Sequence, residues 1–378
     1  MYEIGALRAL EEALGGVDFN DLHIYVGVSA GAFIAASLAN QITPRQLARA
    51  IIRHDPGEHP FTPEMMFTPA YKAWAKGTLR LPQLFADALW RVSTRPGDQT
   101  LLQSLTRLVE ALPVGVFDNE PIRRYLATVF ALPGRTDDFR LLQHKLIVVA
   151  TDVGAGRAIR FGEPGEDHVP ISRAVQASTA LPGLYPLVPI DGRQCADGVL
   201  LKTLHASVAL EHGVRLLLCI NPVVPANIAA GAHAGALPRD VLSRGGLPAV
   251  MSQAFRTLIH SRLEVGMAAY KTRFPRSDVV LFEAEANEGR LFFRNMFSFA
   301  SRRAVAEAAY QATRRDLRRR RHELGPMLAR HGIELRDDVL DDESRDLWSG
   351  VGLTGATAPV TRGLQRALDR LSELVGRA

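Results

Sequence analysis

Two short stretches of this chain carry residue types suited to acyl transfer. One is Gly27-Val28-Ser29-Ala30-Gly31, a G-x-S-x-G pattern. The other is Cys195-Ala196-Asp197-Gly198, a carboxylate in a turn followed by a glycine that permits close backbone approach. A serine hydroxyl becomes a useful nucleophile when a neighbouring base takes its proton. A carboxylate set directly against it can be that base, provided burial makes it a stronger base than a free Asp. Each string also has a bland reading. A chain with 31 glycines yields G-x-S-x-G by chance, as a tight turn where small residues let a helix pack on a strand. Asp-Gly is an ordinary turn dipeptide.

A histidine base is the rival arrangement, and in an α/β-hydrolase triad the order is Ser, then Asp or Glu, then His. Eleven histidines are available. His205 and His212 fall on a predicted helix, and His322 and His331 lie in the C-terminal part. None sits in a clear post-strand turn, so each reads as a structural or surface histidine, and Asp197 is the preferred base.

The elements around Ser29 suit a nucleophile. Ile24-Tyr25-Val26 is a short apolar run with β-branched and aromatic residues, which predicts a buried strand. Ala30 to Ala39 is rich in Ala, which predicts a helix. Strand, sharp turn and helix are the context that the G-x-S-x-G pattern needs. The turn strains Ser29 and lifts its Oγ above the sheet, while Gly27 and Gly31 leave room for the neighbouring strand and helix. The helix N-terminus also offers the Ala30 N–H to a developing oxyanion.

Further along, KLIVVAT (145–151) and RLLLCIN (215–221) predict buried strands, Arg157–Phe161 a partner strand and Asp278–Glu283 a last one. Residues 192–198 read as a turn region. Helices are predicted over 2–14, 44–54, 101–112, 120–130, 172–179, 204–213, 245–270 and 304–324. Alternation of strands and helices predicts an α/β layered fold with a mainly parallel sheet. Residues 71–92 carry large apolar groups such as Trp74, Phe85 and Trp90; a helical packing layer is preferred over a cover for the site. Residues 222–240 read as a mobile loop. The arginines clustered over 314–321 have two readings: a solvated face partnered by Asp337, Asp338, Asp341 and Asp342, which is preferred, or a membrane-surface or phosphate patch. Residues 362–375 form an amphipathic stripe through Leu364, Leu368, Leu371 and Val375.

At 378 residues, 47% hydrophobic and 22% charged, the chain has the composition of a globular protein with a large core. Its net charge of +5 suits peripheral attraction to phosphates or anionic membrane, and no nucleic-acid-binding motif is present. Cys195 and Cys219 form neither a metal-ligand spacing nor a disulfide framework, which predicts a reducing, cytoplasmic setting. Residues 1–14 read as an amphipathic helix rather than a signal peptide. The apolar run 24–39 is too short to span a bilayer and is broken by Gly27, Ser29 and Gly31. No metal and no organic cofactor is implied, and the oligomeric state is left open.

In this order the motifs resemble the patatin-like phospholipase family, which uses a Ser–Asp dyad rather than a triad. Gly27–Gly31 matches its nucleophile motif. Asp197-Gly198 matches its Asp-Gly-Gly or Asp-Gly-Ala motif, with Val199 departing at the third position. Between them, Gly115–Asn119 (GVFDN), Ala150-Thr151-Asp152 and Ala177–Gly183 (ASTALPG) match intervening segments. The resemblance covers about residues 2–222. It implies a three-layer α/β/α patatin-like fold over 1–290 with a helical C-terminal extension over 291–378. It also implies cleavage of fatty-acyl esters of phospholipids or related lipids. In that reading Ser29 is the nucleophile, Asp197 the general base and Ala30 an oxyanion-hole donor, with Gly27 and Gly31 shaping the elbow.

One departure is serious. The family carries a Gly-rich G-G-G-x-R/K-G loop upstream of the serine, whose N–H groups supply most of the oxyanion hole. Tyr2–Leu7 resembles what directly follows that loop. Loss of a single oxyanion donor costs about 2.7–4 kcal/mol of transition-state stabilisation. Three explanations follow, in order of preference: a misassigned start, a naturally short and catalytically impaired chain that binds lipid or a partner, or replacement donors from Gly154-Ala155-Gly156.

Overall fold

The computed structural model describes residues 1–53, 59–70, 115–202, 204–233, 238–284 and 299–351. The apolar layer expected over 71–92, the helix over 101–112 and the stripe over 362–375 lie outside the described residues. In chain order the elements that matter for the site are α1 (Tyr2–Ala13), β1 (Ile24–Val28), α2 (Ala30–Ala39), α3 (Glu120–Phe130), β2 (Lys145–Asp152), β3 (Arg157–Phe161), α4 (Ile171–Ser178), β4 (Val188–Ile190), β5 (Arg193–Asp197), α5 (Ala206–Glu211), β6 (Leu216–Asn221), α6 (Val241–Arg273), β7 (Asp278–Glu283), α7 (Phe299–Arg319) and α8 (Arg321–Ala329).

β2 is the axis of the sheet. Seven of its eight residues are buried, as an uninterrupted apolar run requires of a strand covered on both faces. Leu146, Val148 and Ala150 pack into the main core with residues of α1, α2 and α4, while Ile147 and Val149 meet Val208 of α5 on the other face. α6 lies beside α5, where Tyr270 joins Ala206, Leu210 and Cys219 in a cluster that takes in Leu217, Val279 and Leu281 of β6 and β7. The fold is three-layer α/β/α.

The sheet is mixed rather than mainly parallel. In the five-stranded sheet β1 runs parallel to β2; β7 runs parallel to β6 in a separate two-stranded sheet. β3 and β5 both run antiparallel to β2, and β4 antiparallel to β5. The difference lies in residues 153–197. β3 returns on β2 through a short turn, and the expected turn over 192–198 is itself a strand; parallel pairing would have required a longer crossover. β3 pairs along residues 148–152 of β2, so β1 (at 145–149) and β5 (at 150–152) must share the opposite edge. They meet end to end there.

Residues 299–351 pack into the same core. α7 crosses α1 where Gly5 has no side chain, and a Cβ there would collide with the Ala306 carbonyl. Leu14–Gly15 and Glu334–Leu335 pair as a short antiparallel ribbon. Arg8, fully buried on α1, pairs with Glu11 and Glu12 and donates to the Ser349 carbonyl at 2.8 Å; Tyr310 of α7 donates to Glu12 at 2.6 Å. The arginine cluster is largely engaged within the protein. Arg321 pairs with Asp341 at 2.6 Å, Arg319 and Arg320 pair with Asp316, and buried Arg314 donates to the carbonyls of Val339 and Asp342. Residues 228–233, within the expected mobile loop, form a short helix.

Candidate active site

Ser29 stands at the junction of β1 and α2 with φ 55° and ψ −129°. This region of backbone space is unfavourable for a residue with a side chain and costs on the order of 1–3 kcal/mol. It is the strained elbow that the sequence pattern predicts. Gly27 makes it feasible, because a Cβ there would run into the Cα of Ala32 as the helix folds back over the strand. The elbow is held by a residue that sequence reasoning left without a role. The Ser29 N–H donates to Ser178 Oγ at 2.9 Å, and Ser178 Oγ donates to the Val149 carbonyl at 2.7 Å. Buried Ser178, at the end of α4, therefore links the turn to the central strand. A lone serine on a short helix gives no signal of this in the sequence.

Asp197 ends β5, buried to 1% exposure, with its backbone held at both ends. Its N–H donates to the Ala180 carbonyl at 3.0 Å, and its own carbonyl accepts the Thr151 hydroxyl at 2.9 Å. The carboxylate accepts the Val199 N–H at 2.9 Å, and the Ser29 side chain stands near enough to act on its ionisation. Burial disfavours its charge and pushes its pKa up to about 6, against the opposing pull of those two neighbours. The result is a carboxylate ionised at neutral pH and more basic than a free Asp. Gly198 is required by the same close fit, since a Cβ would strike the Val149 carbonyl. The structure thus brings Ser29 and Asp197 together.

His205 stands near this pair but does not touch the serine. It is buried in a left-handed conformation (φ 44°), with Nε2 3.2 Å from the Gly198 carbonyl. Burial lowers its pKa to about 4, so it is neutral, and the bond to a carbonyl places its proton on Nε2. The other histidines singled out from sequence have other partners where bonds are seen: His212 meets Glu163 at 2.7 Å and His331 meets Asp278 at 2.8 Å.

Ala30 is the first residue of α2, is exposed, and follows an N-cap residue that makes no side-chain capping bond. First-turn N–H groups have no acceptor within their own helix. Gly31 lies beside Glu3; a Cβ on it would come within 3.2 Å of the Glu3 carboxylate, whose pKa burial pushes up. The Gly154–Gly156 turn makes a poor substitute oxyanion hole, because the Ala155 and Gly156 N–H groups already donate to Asp152 at 3.2 and 2.8 Å. Among the described residues no cluster of His, Cys, Asp and Glu is arranged to hold a metal ion. Burial pushes the thiols of Cys195 and Cys219 up to about 11 and about 12, which keeps them protonated.

The fold defines the class: a three-layer α/β/α protein with a strained serine at a strand–helix elbow. The chain belongs to the patatin-like phospholipase family, whose sequence model matches residues 1–210. Members of that family are typically lipid acyl hydrolases. No curated protein matches the chain. Among solved structures, VipD from Legionella pneumophila is similar with a TM-score of 0.37 and 15% identity; the match covers 83% of this chain and 63% of VipD, so the chain spans less than two thirds of that protein's length.

Proposed function

We propose that this protein is a serine lipid acyl hydrolase that cleaves fatty-acyl esters of phospholipids or related lipids through a Ser29–Asp197 dyad. The observation that carries the reading is that the strained Ser29 and a buried, more basic than usual Asp197 are delivered to adjacent register positions on one edge of β2. Asp197 takes the hydroxyl proton as Ser29 Oγ attacks the acyl carbonyl. The alcohol leaves with a proton returned from Asp197, and water then attacks the acyl-enzyme by the same proton path in reverse. The Ala30 N–H faces the developing oxyanion. Ser29, Phe33 and Ser37 follow one another at helical spacing, and Phe33 and Ser37 line a cavity of about 290 Å³ with Ile42, Leu47 and Leu126. Phe61 and Tyr125 pack on Phe33, and this face is our candidate acyl path. We place the protein in the cytoplasm, in peripheral contact with anionic membrane.

Ser29→Ala and Asp197→Asn should each abolish turnover of phospholipid and monomeric fatty-acyl esters while the protein stays folded. A fluorophosphonate should label Ser29 of the intact protein. Full turnover in either variant would remove the dyad. A second reading, a catalytically impaired member that binds lipid or a partner, is favoured by the engaged donors at Ala155 and Gly156, which leave Ala30 with little help. It predicts lipid binding without labelling of Ser29.

A further inference from the structure

α6 has two apolar faces, and among the described residues only one of them is covered. The helix changes course at Gly246 (φ 60°, ψ −159°) and is regular from Leu247 onward. Ile259, Leu263 and Tyr270 point inward and are buried. On the opposite side Leu247, Met251, Leu258 and Val265 are 73, 59, 65 and 71% exposed. With Ala254, Ser261 and Ala268, also exposed, they repeat at alternating steps of four and three along one stripe. At 1.5 Å per residue the stripe is about 30 Å long. The helix carries Arg244, Arg256, Arg262, Lys271 and Arg273 against the single acid Glu264; Arg244 pairs with Asp240 and Arg273 with Glu211, and the exposed Arg262 and Lys271 are the charges it offers to lipid.

We infer that the outer face of α6 is the surface by which the protein lies on an anionic lipid bilayer. This rests on the lipid-hydrolase reading above, which brings the protein to such a surface. An apolar stripe beside basic side chains enters the headgroup boundary by about 5–10 Å and gains further from anionic lipid. A second copy of the chain fits less well. A stripe one side chain wide and about 30 Å long covers on the order of 300–400 Å², about half of the 800 Å² per partner that stable association needs. Self-pairing would also set one basic helix against another. The stripe has a direct connection to the proposed dyad: Arg262 donates to the Leu200 carbonyl at 2.9 Å, in the turn that begins with Asp197. A bilayer seated on α6 is thereby tied to the segment that carries the base.

The test is vesicle sedimentation of the full chain carrying Ser29→Ala, so that binding is read without turnover. Vesicles of phosphatidylcholine with 30% phosphatidylglycerol, the composition chosen for the assay, should sediment the protein, and pure phosphatidylcholine should do so at least about tenfold more weakly. Leu258→Glu with Val265→Glu should lower partition to the anionic vesicles by at least about tenfold with thermal unfolding unchanged. Because both side chains are exposed, folding should be preserved; Met251→Gln is a milder second variant that should weaken binding in the same direction. Unchanged sedimentation of the double variant would overturn the inference. So would an intact protein that ignores anionic vesicles, or one that forms a dimer broken by Leu258→Glu. Absence of esterase activity with vesicle binding intact would instead count against the hydrolase reading alone.

Discussion

Asp197 stands one register position beyond Val28 on the same edge of β2: Val28 pairs with Val149, and Asp197 with Ala150. β1 reaches this point in one direction and β5 in the other. The residue after Val28 is Ser29, so the hydroxyl and the carboxylate are delivered to one place by consecutive positions of a single strand. The strands, rather than the loops, set the distance between them.

Activity should depend on ionisation of Asp197. Its pKa is about 6 in the folded protein, and the base must be ionised to accept a proton. The value of kcat/KM for a soluble ester should therefore fall about tenfold per pH unit below 6 and level off above it. A plateau extending to pH 4 would mean that Asp197 is not the base.

The same residue should lower stability at neutral pH. Its folded pKa lies above the unfolded value of 3.8, so the folded state favours the protonated form. Below pH 4 both states are protonated and the effect vanishes. Through pH 4–6 it grows, and above pH 6 it is complete at about 3 kcal/mol. Asp197→Asn, which removes the charge but keeps the shape, should raise the Tm by several degrees at pH 8 and by little at pH 4.5, as read by calorimetry.

Ser178→Ala should loosen the elbow. It leaves the Ser29 N–H and the Val149 carbonyl without the hydroxyl that joins them, at a cost of about 1–3 kcal/mol. The expected signature is a drop in kcat of about tenfold or more with KM little changed. Ser178→Thr keeps the hydroxyl and should recover part of the loss.

Gly198→Ala probes the fit between β5 and β2. The new methyl would strike the Val149 carbonyl and stand 3.1 Å from Val28 Cγ1. Overpacking of this kind costs about 1–3 kcal/mol. Urea denaturation should show a lower midpoint with an unchanged slope, together with loss of turnover.

Much of this was legible in the sequence because it depends on local chemistry. The run KLIVVAT reads as a covered strand, one residue short of the strand observed, and Gly27-Val28-Ser29-Ala30-Gly31 between a strand and a helix announces a strained turn. Other features depend on pairings that local sequence does not encode. Nothing near Arg193–Asp197 states that it shares an edge with β1, so the sheet reads as more parallel than it is. Ser178 acts through two backbone groups on distant elements, and His205 through the carbonyl of Gly198. The periodicity of α7 shows that one of its faces is buried but not that α1 covers it. Asp197 is a candidate base from its turn before a glycine, and the order of motifs shared with a family is what gives that candidacy weight.

The crossing of α7 over Gly5 has a practical consequence for anyone preparing this protein. A clone cut at residue 210, where the family match stops, would deprive the first helix of its neighbour and strip Arg8 and Glu12 of the tyrosine and the carbonyl that accommodate them. Such a fragment should precipitate, and its failure to hydrolyse anything would say nothing about the chemistry of the intact chain.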